Sequence, residues 1–196
     1  KALKASDEYT YGHSLRVAYY SIALGEELGL SEEELYKLEV SGLFHDIGKI
    51  GVPNEILNKP ARLNEGEFLQ MKRHPEMTAE ILEGFKPFDE IAKFAKHHHE
   101  RFDGRGYPAG MKGEDIPYYS RIILIADTFD AMTSTRPYRK GLPYQTAFDE
   151  LVEFSGSQFD PDLVKSFISA MTKENNKKEE TFSRHIINGE FKKDAA

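Results

Sequence analysis

An all-α bundle is predicted by three features of the sequence. Apolar residues recur at spacings of three and four, alternating strand patterns are scarce, and capping signatures precede the periodic segments. Val17, Tyr20, Ile22, Leu24 and Leu28 mark a first helix from about Asp7 to Glu27, which Gly29 ends. Ser31 with Glu34 is a capping-box pattern, and it starts a second helix whose Leu35, Leu38 and Leu43 turn inward ahead of His45 and Asp46. Gly48, Gly51 and Pro53 break that helix. Asn64 with Glu67 repeats the cap before Phe68 and Met71, and His74-Pro75 joins a further helix through Ile81 and Leu82, since Pro is accommodated in a first turn. A helix over Pro87 to Glu100 then runs into Asp103-Gly104-Arg105-Gly106-Tyr107-Pro108, a loop by its Gly and Pro content. Tyr119 to Met132 is apolar around most of its circumference (Ile122, Ile123, Ile125, Ala126, Phe129), as expected at the centre of a bundle, which makes its Asp127 and Asp130 conspicuous. Tyr144 to Phe154 and Pro161 to Met171 close the bundle. Residues 1–171 therefore form the domain, and the Lys- and Glu-rich tail, residues 172–196, is expected to be peripheral or frayed.

Composition narrows the function classes. With 33 Asp and Glu against 26 Lys and Arg, the formal net charge of −7 opposes unaided binding to a nucleic acid polymer. Cysteine is absent, which excludes disulfides, thiolate metal sites and cysteine nucleophiles and leaves His, Asp and Glu as the strong metal ligands. The aliphatic run Ile122 to Ala126 is far short of the roughly 20 residues that span a bilayer, so a soluble segment without membrane contact is expected. Opening on Lys rather than Met, the sequence reads as part of a longer protein. Gly104-Arg105-Gly106 lacks the Gly-Lys-Ser/Thr end of a P-loop, and no Gly-x-Ser-x-Gly elbow is present.

Histidine is the informative residue type. Six of the seven fall in four groups, His13, His45, His74 and His97-His98-His99, while His185 stands in the polar tail and is assigned no role. Carboxylates follow closely at Asp46, Glu100 and Asp103. Imidazole nitrogen and carboxylate oxygen suit divalent metals, and a helical bundle can bring such residues together from distant positions. Adjacent helical residues point about 100° apart and can reach two different ions, while His98 with His99 could serve opposite sides of one ion's shell at a helix end. A carboxylate can bridge ions roughly 3.5 to 4 Å apart, so Asp46 is the natural shared ligand of a dinuclear site. On its apolar helix Asp127 must be bound to metal, hydrogen bonded or paired, and an ion pair with Arg121 or Arg136 would satisfy it without function.

The strings His45-Asp46-Ile47-Gly48-Lys49-Ile50-Gly51, His98-His99-Glu100-Arg101-Phe102-Asp103-Gly104-Arg105-Gly106-Tyr107-Pro108, Ile125-Ala126-Asp127-Thr128-Phe129-Asp130-Ala131 and Arg136-Pro137-Tyr138-Arg139 resemble, in that order, the HD-GYP domain, a branch of the HD metal-dependent phosphohydrolases. The similarity runs from about His13 to Pro161. It implies an all-α bundle of the HD-domain type with a Gly/Pro-rich GYP loop, and a cytoplasmic bacterial signalling enzyme that hydrolyses cyclic di-GMP to pGpG or on to GMP. It implies His13, His45, Asp46 and Asp127 as ligands of one iron or manganese ion, and His74, His98 and His99 as ligands of a second, with Asp46 bridging. Lys49 would lie against the scissile phosphate. Arg136 and Arg139 would hold substrate phosphates, the second often being Lys in relatives, and Tyr107 with Pro108 completes the GYP signature. Members with a third metal carry Glu one helical turn before the first ligand histidine. Tyr9 stands there in this chain, so two ions are expected. A GGDEF domain or an upstream sensory domain is the expected partner. Two other readings keep the fold: a module that binds cyclic di-GMP or a partner without turnover, and a phosphohydrolase acting on another nucleotide.

Overall fold

The computed structural model describes residues 8–135 and 140–187, with side chains described for residues 12–135 and 140–175. The elements in chain order are α1 (Glu8–Glu27), α2 (Glu32–Phe44), a 3-10 turn (Ile47–Gly51), α3 (Asn54–Leu57), α4 (Glu65–Met71), α5 (His74–Leu82), a second 3-10 turn (Lys86–Phe88), α6 (Asp89–Lys96), a third (Gly113–Asp115), α7 (Tyr118–Thr133), α8 (Tyr144–Glu153) and α9 (Pro161–Ile187). Among the described residues β-structure is limited to a single bridge between Ser155 and Phe159. No described helix is long and apolar enough to cross a membrane. The predicted caps form: Ser31 and Asn64 each close a reciprocal capping box with the Glu three residues on, at Glu34 and Glu67. Each such cap stabilises its helix by about 1 kcal/mol.

Helix α7 is the hub, packing against α1, α2, α6, α8 and α9. Its Ile122, Ile123, Ile125, Ala126 and Phe129 are fully buried with Val17 and Leu24 of α1, Leu151 of α8 and Phe167 of α9. A second apolar cluster joins Val40 of α2, Ala79 and Leu82 of α5, and Ile91, Ala92 and Ala95 of α6. Two sets of helices are thereby fixed. One set carries His13 and Asp127; the other carries or precedes the other five clustered histidines, His45, His74 and His97 to His99.

One expectation needs correction. The helix expected over Pro87 to Glu100 spans only Asp89–Lys96, because Pro87 lies in a tight 3-10 turn and the chain leaves helical geometry at His97 (φ −103°, ψ 13°). His97 to Glu100 therefore lie in the turn beyond the helix. In the tail expected to be peripheral or frayed, residues 172–187 continue α9, which ends at Ile187. Its Lys and Glu residues are good helix formers, and Lys173 pairs with Glu27 at 2.7 Å while Tyr19 donates to Glu174 at 2.8 Å, tying the extension to α1.

Candidate metal centre

Three histidines are positioned by one local device. At the C-terminal end of a helix the last carbonyls lack intrahelical partners. His45 donates through Nδ1 to the carbonyl of Gly42 at 2.6 Å, His74 to that of Met71 at 2.7 Å, and His98 to that of Ala95 at 2.6 Å. A carbonyl only accepts, so Nδ1 carries the proton and Nε2 presents its lone pair. All three Nε2 atoms converge on Asp46. Oδ2 of Asp46 lies 3.3 Å from Nε2 of His45 and 3.8 Å from Nε2 of His13, while Oδ1 lies 3.2 Å from Nε2 of His74 and 3.9 Å from Nε2 of His98.

Two donor sets result, each with its ligating atoms within 4.8 Å of one another: His13, His45 and Asp127, and Asp46, His74, His98 and His99. Nε2 of His13 is 3.2 Å from Oδ1 of Asp127, and Nε2 of His99 is 3.2 Å from Nε2 of His74. The sets fit divalent cations by a test internal to the chain. Nε2 of His45, Nε2 of His98 and Oδ1 of Asp46 are buried with no hydrogen-bond partner among the described residues, an arrangement that costs about 1 to 3 kcal/mol per atom unless a cation satisfies it.

Electrostatics agree with this reading. Burial holds His98 well below the usual imidazole range and His99 at about 4, so both are neutral and available as ligands. Burial would also lower His13, but hydrogen bonds to Asp127 and Asp130 outweigh it and raise the ring to about 9. Asp46 and Asp127 are kept ionised in spite of burial, the first chiefly by Lys49 and His45 and the second by His13 and His45. Nζ of Lys49 sits 2.5 Å from Oδ2 of Asp46.

The HD turn is clamped to α5. Gly48 donates its N–H to Oγ1 of Thr78 at 2.9 Å, and that hydroxyl donates to the carbonyl of His45 at 3.1 Å. A Cβ on Gly48 would lie 2.1 Å from the carbonyl oxygen of His74 and 2.5 Å from the backbone nitrogen of Thr78, so the close approach admits only Gly. The second Gly-rich loop is held from within. The buried Glu100 carboxylate accepts N–H groups from Ala109 (2.6 Å), Gly110 (3.1 Å) and Met111 (3.0 Å). A Cβ on Gly106 would come within 2.3 Å of the Arg101 nitrogen. The result is that Tyr107 stacks on His99, with centroids 4.8 Å apart at 29°. Asp103 caps the loop at the N–H of Arg105 (3.0 Å) and pairs with Arg101.

The chain thus brings together His13, His45, Asp46, His74, His98, His99, Asp127 and Lys49, with Tyr107 at the rim. Arg121 pairs with Asp160 at 2.6 Å and so is not the partner of Asp127. Arg136 and Arg139 lie outside the described residues, as does the side chain of Tyr9, one turn before His13 on α1. Asp130 was conspicuous in the sequence but had no assigned partner. It is fully buried and accepts from Nδ1 of His13 at 2.7 Å, from Arg16 at 2.6 Å and from Ser134 at 2.8 Å. Its spacing of three from Asp127 puts both on one helical face, the single sequence signal that marks it. Glu100 had only its position after three histidines.

A family model described as HD domain matches residues 1–163. Among curated proteins the chain is 41% identical over 170 residues to the cyclic di-GMP phosphodiesterase PA4108 of Pseudomonas aeruginosa, covering 86% of this chain and 41% of that protein. It is 39% identical over 171 residues to the 3'3'-cGAMP-specific phosphodiesterase 3 of Vibrio cholerae (87% and 37%) and 41% identical over 164 residues to a cyclic di-GMP phosphodiesterase of Thermotoga maritima (83% and 45%). The chain spans less than half the length of these relatives. In fold it is similar to Bd1817, an HDG"Y"P protein from Bdellovibrio bacteriovorus, with a TM-score of 0.67 at 21% identity over 83% of this chain and 52% of that one. The HD domain of the phosphodiesterase PgpH of L. monocytogenes, in complex with cyclic-di-AMP, gives a TM-score of 0.57 at 18% identity over 85% and 90%.

Proposed function

This chain belongs to the HD domain family, in its HD-GYP branch, and on that premise we propose that residues 1–171 form a metal-dependent phosphodiesterase that hydrolyses cyclic di-GMP to pGpG or on to GMP, with residues 172–196 as an extension. One observation carries the reading. Asp46 turns one oxygen toward His13 and His45 and the other toward His74 and His98, so a single carboxylate is shared between two donor sets.

His13, His45, Asp127 and Asp46 would hold one divalent ion, and His74, His98, His99 and Asp46 the other. Bound there, a pair of such ions lowers the pKa of water and neutralises charge building on the phosphorus oxygens. The chain's own groups do the rest. Asp46 fixes the spacing of the two sets. Lys49, which reaches the centre of the site, supplies a fixed positive charge beside the scissile phosphate, a contribution of about 3 kcal/mol where it is realised in the transition state. Tyr107 forms an aromatic wall against His99, suited to a purine or a ribose edge, and Arg136 and Arg139 would hold phosphates. These cations make the pocket locally positive despite the net charge of −7.

An imidazole and carboxylate donor set without thiolate suits iron or manganese. Two ions rather than three follow from Tyr9. A cytoplasmic setting and a GGDEF or upstream sensory partner belong to the same reading, supported by the HD-GYP resemblance. Relatives named for cyclic di-GMP and for 3'3'-cGAMP match about equally well, so both nucleotides belong in the assay. Metal-loaded protein incubated with each and resolved by chromatography is expected to convert cyclic di-GMP to pGpG or GMP. His45→Ala with Asp46→Ala should abolish product while leaving the helical signal largely intact. Tight binding without any product would instead support the binding-module reading, and preferential cleavage of 3'3'-cGAMP the other-nucleotide reading.

A further inference from the structure

One cation at the rim of the site has no role in the reading above. Lys72, the residue after α4 and two before His74, is half-buried, and its Nζ lies 4.8 Å from the ring centroid of Phe68 and 5.1 Å from that of Tyr107. Tyr107 is the ring stacked on His99. Among the described residues no carboxylate lies within ion-pair distance of Lys72, as is also true of Lys86, Lys93, Lys96, Lys112 and Lys140, but of these lysines Lys72 is the one placed over aromatic rings beside the donor sets. A partly desolvated ammonium held over two aromatic faces is pre-positioned by cation-π attraction, and its charge is left for an anion. The donor sets account for one phosphate. A cyclic dinucleotide has a second, which does not react and needs cations of its own, Lys72 alongside Arg136 and Arg139, which lie outside the described residues.

We propose that Lys72 is a substrate-positioning residue that binds the non-reacting phosphate of the cyclic dinucleotide, with Phe68 and Tyr107 fixing its ammonium. This rests on the phosphodiesterase reading. A contact to a group that does not react stabilises ground and transition states alike, so its loss falls on KM rather than kcat.

The test compares metal-loaded wild type, Lys72→Met and Lys72→Arg on cyclic di-GMP and on bis(p-nitrophenyl) phosphate, a diester with a single phosphate. Lys72→Met is expected to raise KM for cyclic di-GMP about tenfold, the size of one charge-assisted contact, and to flatten the salt dependence of KM. The ratio of kcat/KM for cyclic di-GMP to that for the single-phosphate diester should fall by a similar factor, with Lys72→Arg recovering most of it. An unchanged ratio, or equal losses on both substrates, would overturn the proposal by showing that Lys72 merely props Tyr107. Should wild type bind cyclic di-GMP without cleaving it, the phosphodiesterase reading fails, and calorimetry on the same variants decides Lys72: weaker binding in Lys72→Met supports it, and equal binding overturns it. Wild type that neither cleaves nor binds the nucleotide removes both. Lys72→Gln replaces Lys72→Met if the latter loses its cooperative melt.

Discussion

Nδ1 of His13 and Oδ2 of Asp130 lie 2.7 Å apart across 117 residues of chain, turning the opposite nitrogen of the ring toward Asp127 and Asp46. A buried carboxylate behind a ligating imidazole fixes its tautomer and raises its basicity. Asp130→Asn keeps the shape and removes the charge. It is expected to weaken metal binding by the His13, His45 and Asp127 set about 10- to 100-fold, read by metal titration, with turnover at limiting metal falling in step. Unaltered affinity would reduce Asp130 to an anchor for Arg16.

Gly48→Ala tests the clamp between the HD turn and α5. A methyl group 2.1 Å from the carbonyl oxygen of His74 forces the backbone apart. Overpacking of this kind costs about 1 to 3 kcal/mol, so the melting temperature should drop and bound metal should fall with it.

Glu100→Gln replaces a carboxylate that accepts three N–H groups with an amide that turns one end into a competing donor. A loss of about 1 to 3 kcal/mol is expected, together with faster amide exchange at Ala109 to Met111. The metal content should stay near that of wild type, since the ligating atoms are on other residues.

Chelator-treated protein should be most stable near pH 6.5. Burial lowers His99 from 6.5 to about 4 and holds His98 well below the usual imidazole range, so between pH 4 and 6.5 the unfolded chain takes up more protons and stability falls as pH falls. His13 is raised from 6.5 to about 9, so its contribution is complete below 6.5 and is lost as pH rises through 9. Thermal melts from pH 4 to 9 check both slopes, and metal saturation should flatten the alkaline one by displacing the proton on His13 and steepen the acid one, since bound imidazoles take up no protons.

The proposed ligand residues are legible because imidazoles and carboxylates are rare on apolar helices, and because the strings around His45, His98 and Asp127 are long and ordered. Capping boxes at Ser31 and Asn64 were legible because their partners lie three residues away. The end of α6 at Lys96 was not, since no Gly or Pro marks it and it falls where His98 takes the carbonyl of Ala95. Nor was the partner of Asp130, which is 117 residues distant and set by how α1 meets α7. Glu100 is ordinary in sequence, and its role depends on a loop folding back over it. Local signals thus reveal which residues carry chemistry, while tertiary packing decides what holds them.

The dinuclear centre is tested most directly by metal counting on extensively dialysed, manganese-loaded protein: wild type, His13→Ala, His99→Ala and Asp46→Ala. Two ions per chain are expected in wild type, about one in each histidine variant, and fewer than one in Asp46→Ala, which removes the ligand both sets share. A wild type holding a single ion, or an Asp46→Ala variant that still holds two, would contradict it.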